Sequence, residues 1–411
     1  MTGDGRARLS LVALLAAHTS AQAGNTITVL ATPFFVLARG GTALDVGIAS
    51  TFATVPIIVG GPLGAVLVDR IGHRRSSIIA DLASAVTVMA IAVLSAQGAL
   101  PFWGFLLLIF ASGLLDTPGQ TARTTLMPDL SAQAGVPLER TVGFASGAER
   151  SAMLVGAPLG GLVVSVFGAS AAFAVTAVFF VVSALLVSVL VRSPRIRQPE
   201  EEARLSYWGD LAAGFRFVAR QPLLRLIVAL VFVLNLLDAA RFSVLLPLRA
   251  TDWAGGAGVV GLITGALGLG ALVGSVFFGA VGHRMPRRAL FVIATLIAGG
   301  PLSLALATSL PVWAVVAVSA LTGLASGVLN PIIDTLRLEL APTRMRARSS
   351  SLMIAGAWAG IPIGALLAGG SAELVGVSTA FLVIGAVYLL VALLPLSGGA
   401  WRGMDRARRT G

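Results

Sequence analysis

Gly61-Pro62-Leu63-Gly64-Ala65-Val66-Leu67-Val68-Asp69-Arg70-Ile71-Gly72-His73-Arg74-Arg75 decides the fold. An apolar run of helix length ends abruptly in one acid, four basic residues and a glycine, the pattern of a membrane helix meeting water. The pattern returns 214 residues later as Gly279-Ala280-Val281-Gly282-His283-Arg284-Met285-Pro286-Arg287-Arg288, and the register holds without a gap from Leu44–Ala80 to Gly258–Ala294. At the same offset Arg123-Thr124-Thr125-Leu126-Met127-Pro128 answers Arg337-Leu338-Glu339-Leu340-Ala341-Pro342. Gly156-Ala157-Pro158-Leu159-Gly160 resembles Gly360-Ile361-Pro362-Ile363-Gly364 across a shorter loop. Three matches in one order make the chain two related halves, an organisation in which one half can rock against the other.

Composition places those halves in lipid. The 411 residues are 56% hydrophobic and 11% charged, against roughly 25% charged in soluble domains. Apolar runs of about 20 residues each suffice to cross a hydrocarbon core. Twelve are expected, at 10–37, 45–68, 76–97, 102–126, 142–167, 171–191, 223–248, 257–281, 288–308, 311–335, 350–371 and 376–396. These give an N-terminal six-helix bundle over 1–191, a linker over 192–222, a C-terminal six-helix bundle over 223–396 and a basic tail over 397–411. In the linker Trp208, Leu211, Ala212, Phe215 and Val218 recur at helical spacing, as expected of a helix lying on the membrane surface.

The net charge is +11, and the chain has arginine but no lysine. The arginines fall in short clusters between apolar runs, without a continuous basic face, so the positive-inside rule accounts for them and nucleic acid is not expected. Alternate loops carry Arg6 and Arg8, Arg70 to Arg75, Arg140, the linker, Arg284 to Arg288, Arg344 to Arg348 and the tail, whereas the opposite loops offer Arg39 and Arg249. Both termini are therefore expected in the cytoplasm, in a multi-pass protein of the cell membrane. Ala21-Gln22-Ala23 resembles a cleavage site, but cleavage would leave an odd helix count and upset the loop charges.

Cysteine is absent, the three histidines are not clustered, and no glycine-rich nucleotide loop is present, so no catalytic residue, metal site or cofactor is expected. A channel would need rings of pore-lining charge, which a two-fold repeat does not suggest.

Asp69, Arg70, Gly72 and Arg74-Arg75 resemble the signature G-x-x-x-D-R-x-G-R-R of the major facilitator superfamily, with Ala65 in place of a glycine and His73 in place of an arginine. Asp45-Val46-Gly47, the string from Asp116-Thr117-Pro118 to Leu126-Met127-Pro128-Asp129-Leu130, and Trp208 to Arg225 resemble the branch of macrolide-efflux proteins and enterobactin exporters. The resemblance implies an all-α fold of two six-helix bundles around a cavity lined by the first, fourth, seventh and tenth helices. It also implies export driven by proton entry, and a latch at Asp69, Arg70, Gly72, Arg74 and Arg75. In the second half His283 and Pro286 replace the aspartate and the glycine, which weakens the matching latch. Gly147 to Gly161 resembles the antiporter motif of the fifth helix with altered spacing.

Charged groups inside spans are costly and mark function by default. Asp238 stands foremost, with Asn235 and Arg241 one turn to either side; it either handles a proton or forms an ion pair with Arg241. Asp116 follows, with Gln120 and Arg123 on one face at i, i+4, i+7; it is a second protonation site, a cation-recognising carboxylate or a packing group beside Pro118. His18, Gln22 and Asn25 share a face of the first helix and either line the cavity with Asn235, Gln120 and Trp358 or bond helix to helix. Arg123, Glu149, Arg150, Asp334 and Arg337 are expected in gate ion pairs. The expected partners are a small molecule, the bilayer and protons, for a chain acting as a monomer. The leading expectation is a proton-coupled exporter of amphipathic drugs or natural products; the alternative is a proton-coupled nutrient importer.

Overall fold

The computed structural model describes residues 3–191, 216, 219–282, 285–340 and 356–406. Side chains inside these stretches that fall outside the description include those of Asp69, Glu149 and Arg337, so three of the expected latch and gate groups lie outside the described residues. Most of the linker, His283 and Arg284 and residues 341–355 lie outside it as well.

Among the described residues twelve long helices follow in order: α1 Gly3–Leu37, α2 Ala43–Ile71, α3 His73–Ala96, α4 Phe102–Gln133, α5 Leu138–Phe167, α6 Ala169–Leu190, α7 Pro222–Ala250, α8 Gly256–Val281, α9 Arg287–Ala307, α10 Val312–Leu340, α11 Gly360–Val375 and α12 Val377–Leu393. Among the described residues eleven helices are long and apolar enough to span a bilayer. The remaining one, α1, owes its lower hydropathy to His18, Gln22, Asn25 and a series of hydroxyls. Those hydroxyls are satisfied inside the fold, as lipid requires. Ser10 donates to the Leu190 carbonyl, Ser20 to that of Phe179, Thr28 to the Thr176 hydroxyl, and Thr19, Thr26 and Thr32 to carbonyls one turn back.

The chain divides into two compact units, one of Met1–Arg197 with Ala250–Gly265, the other of Gln198–Arg249 with Ala266–Gly411. The boundary thus cuts α8, and its first turns pack with the N-terminal helices. In the first unit α3 packs on α4 and α6, and α1 on α5 and α6; in the second, α9 packs on α10 and α12, and α7 on α11. The pairings repeat, and the repeated glycines show how. An added Cβ on Gly156 or Gly160 would meet the Ala23 carbonyl or the Ile27 backbone of α1 at 3.3 Å; on Gly360 or Gly364 it would strike the Phe232 or Leu236 carbonyl of α7. Small residues four apart let these backbones approach.

Loop arginines follow the repeat too. Arg74, at the start of α3, donates to the carbonyls of Val187 (3.4 Å) and Ser188 at the end of α6. Its counterpart Arg288, at the start of α9, donates at 2.6 Å to Pro395 and Leu396 just beyond α12. A cation on the open carbonyls of a helix C-terminus satisfies groups that have no partner in the helix. At the opposite ends Arg39 donates to the Leu100 carbonyl (2.6 Å) and the Ser95 hydroxyl (3.0 Å), and Arg249 to the Thr308 carbonyl (2.8 Å). Gly72 ends α2 and starts α3 at φ 90°, a conformation glycine adopts without strain. Thr42 and Asp45 form a capping box on α2, with the Thr42 hydroxyl accepting from the Asp45 N–H at 3.2 Å and the Asp45 carboxylate accepting from the Thr42 N–H at 2.9 Å.

Candidate transport site

Among the described residues two separate ion networks stand inside the spans, one in each unit. In the first, α4 places Asp116, Gly119 and Arg123 on one face, beside Asp81 of α3. Arg123 Nη1 donates to Asp81 Oδ1 at 2.6 Å, and its Nη2 reaches Asp116 Oδ1 at 3.5 Å. Ser183 of α6 donates to Asp81 Oδ2 at 2.7 Å, and Asn25 of α1 donates to Asp116 Oδ2 at 2.7 Å. The side chains of Arg123 and Asp81 are fully enclosed, and that of Asp116 is 9% exposed. Two carboxylates share one guanidinium, leaving one negative charge in excess when all three are ionised.

The second network is balanced. Arg241 Nη2 donates to Asp238 Oδ1 at 2.6 Å, while its Nη1 donates to the carbonyls of Ala298 (3.2 Å) and Gly299 (3.0 Å) on α9 and to the Ser303 hydroxyl at 3.4 Å. The Tyr388 hydroxyl of α12 donates to Asp238 at 3.4 Å, and the Arg241 guanidinium lies over the Phe242 and Tyr388 rings. Arg241 stands at the start of a π-helical turn, Ala240–Leu245, which interrupts α7 directly after Asp238. Such turns occur mostly as single wide turns inside α-helices, often at functional sites. Asp238 itself keeps 40% of its side chain exposed.

These contacts revise several expectations. Asp238 is in the ion pair that was one of its two readings. Asp116, ranked behind it, has the looser arginine contact. Arg123, expected at a gate, is buried inside the first network because Asp81 and Asp116 neutralise it there. His18 is fully buried and lines no open surface; Gln22, Asn25 and Gln120 are half-buried. Asn25 and Gln22 do lie together, at 3.5 Å. Asn235 spends its amide on the Ala357 carbonyl of the stretch leading into α11 at 3.0 Å, a helix-to-helix bond. Trp358 is 42% exposed. Arg74, expected in the latch, is committed to the end of α6, while Arg70 and Arg75 are exposed. Arg150 is half-buried and Asp334 is exposed.

Asp81, Ser183 and Tyr388 also belong to these networks, beyond the residues expected from the sequence. Asp81 carried a usable signal, an acid two turns inside a span, and was obscured by its nearness to the basic loop. Ser183 and Tyr388 matter only through tertiary contact and carried none. A cavity of about 370 Å³, lined by Phe35, Arg39, Asp45 and Phe102 among others, opens some 15 Å along α1 from Asn25. Its charged residues are already spent on loop and cap bonds. Among the described residues no cluster of histidine and carboxylate side chains is arranged to hold a metal.

The model of the Major Facilitator Superfamily matches residues 14–251 and 228–398. The chain belongs to the major facilitator superfamily. It is a non-enzymatic, multi-pass membrane transporter of small molecules with that superfamily's all-α fold. It is 30% identical to the multidrug efflux pump Tap of Mycolicibacterium fortuitum over the whole of both chains. It is 29% identical to the enterobactin exporter EntS of Escherichia coli O1:K1 / APEC, over 84% of this chain and 83% of that one. Among solved structures the nucleoside transporter NupG superimposes with a TM-score of 0.69 at 14% identity, covering 98% of this chain and 99% of NupG, a likeness of fold alone. The branch expected from Asp45, Asp116 and the linker is the one in which the named relatives fall.

Proposed function

We propose that this transporter exports amphipathic small molecules, a drug or a natural product, in exchange for protons and by alternating access. The observation that carries the proposal is the excess negative charge of Asp81, Arg123 and Asp116. An uncompensated charge enclosed within a membrane domain is expensive, and a proton removes it. Asp116 is the exchanging group: its arginine contact is the longer one and it retains an exposed edge. Asp238 is the second candidate, held in a balanced pair. The efflux direction and the amphipathic substrate class draw support from the names of the two relatives. The arginine-rich loops and both termini face the cytoplasm in this reading, since Arg39 and Arg249, the two arginines on the other side, are engaged with carbonyls near the ends of α3 and α9. The transporter acts as a monomer in this reading. The turn at Asp69, Arg70 and Gly72 remains the proposed latch, with Glu149, Arg150, Asp334 and Arg337 as proposed gate groups.

Proteoliposomes with an imposed pH gradient test the proposal, with ethidium and enterobactin as probes. Movement of either probe against the proton flow, abolished when the gradient is collapsed, is the expected result. Movement of the probe together with protons would instead establish uptake, and transport indifferent to the gradient would remove proton coupling.

A further inference from the structure

We propose that Asp81 is a positioning residue: it holds Arg123 off Asp116 and thereby keeps Asp116 open to the proton it exchanges. The inference rests on the antiport reading above.

The geometry is unequal in a directed way. Arg123 sits 2.6 Å from Asp81 and 3.5 Å from Asp116. Asp81 is anchored at its other oxygen by Ser183, and Asp116 at its other oxygen by Asn25. Arg123 donates to these two carboxylates and to no backbone carbonyl among the described residues, and its buried Nε is unpartnered. Arg241 differs, being tied to two carbonyls of α9 whatever Asp238 does. Nothing but Asp81 therefore decides which acid receives Arg123. Between the two acids α4 presents Gly119; a Cβ there would lie 3.4 Å from Arg123 Nη1 and 3.5 Å from Asp81 Oδ1, so the glycine leaves room for the guanidinium.

The other titratable groups on the helices packed against α4 are few. On α4 itself Asp129 lies in the last turns; on α3 His73, Arg74 and Arg75 lie in the first turn; on α1 Asp4, Arg6 and Arg8 lie in the first two turns, and His18, two turns from Asn25, is buried. On α2, Asp45, Asp69 and Arg70 lie at the helix ends; on α5, Glu139, Arg140, Glu149 and Arg150 lie in its first half; α6 has none. Asp81 and Arg123 thus dominate the field at Asp116. Together they act as a neutral pair, which leaves Asp116 free to gain and lose a proton. Without Asp81 the arginine closes on Asp116, and an opposite charge in direct contact favours the ionised carboxylate.

The test needs no substrate, because the probe is the proton. Protein in lipid nanodiscs is titrated and the infrared carbonyl band of protonated carboxylic acids is followed; the part of the band lost in Asp116→Asn reports Asp116. In Asp81→Asn that part should be half-developed at a pH lower by about one unit or more, a tenfold weaker hold on the proton. Asp81→Glu should keep the wild-type midpoint. In the double variant Asp81→Asn, Arg123→Gln, which removes both charges and leaves no unpaired arginine, the midpoint should stay within about half a unit of wild type. A band with no Asp116 part, an unmoved midpoint in Asp81→Asn, or a rise of about a unit in the double variant each overturns the proposal. Should Asp81→Asn fail to fold, the double variant decides alone. Transport of ethidium indifferent to the gradient, alongside the predicted shifts, would refute antiport and leave the role of Asp81 standing.

Discussion

Asp238 and Arg241 are joined by one short bond, yet they are not equally dependent on it. Arg241 keeps its two α9 carbonyls when Asp238 is lost, whereas Asp238 keeps only a long contact to Tyr388 when Arg241 is lost. Arg241→Met should therefore cost about 3 kcal/mol of stability, because it leaves a charge unpaired in the protein. Asp238→Asn should cost about half as much, since a neutral acceptor remains near the guanidinium. Thermal unfolding in detergent checks the order; equal losses would show that the carbonyl bonds do not hold Arg241. At this scale the sequence was legible where one helix carried the whole pattern. Asp116 with Arg123, and Gln22 with Asn25, followed from turn spacing alone. Asp81 and Ser183 became visible only when α3, α4 and α6 were brought together.

Glycine has opposite roles at two kinds of position on the helices. Gly364 abuts the Leu236 backbone, and any side chain there must push α11 off α7. Gly364→Val should cost about 1–3 kcal/mol and lower transport with it. Gly147 is exposed on α5 with nothing within reach of an added Cβ, so Gly147→Ala should raise stability by about 0.5–1 kcal/mol. Thermal unfolding of both variants checks the contrast, which fails if they move in the same direction. The repeated glycine-proline segment was readable as a repeat, and its physical reason, close approach of α5 to α1 and of α11 to α7, needed coordinates. The π-helical turn at Ala240–Leu245 left no mark in the sequence beyond the polar residues around it.

For the whole molecule, charge and duplication were the most legible features. A repeat at an offset of 214 residues, arginine clusters in alternate loops and apolar runs of spanning length were enough to make the chain a duplicated multi-pass membrane protein, and the resemblance of Asp69, Arg70, Gly72, Arg74 and Arg75 to a signature pointed to its superfamily. Orientation is directly testable because the chain has no cysteine. Gln97→Cys, exposed after α3, should react with a membrane-impermeant maleimide on intact cells, and Gln133→Cys, exposed at the end of α4, only after the membrane is opened. The reverse pattern would invert the topology.

In the antiport proposed above, Asp116 carries the exchanged proton while the rest of the transport cycle runs without it. Exchange of labelled for unlabelled ethidium across a proteoliposome membrane, compared with net movement driven by a pH gradient, separates the two most directly. Asp116→Asn should retain exchange and lose the response to the gradient. A variant that still accumulates the probe against its concentration when the gradient is imposed would contradict the account.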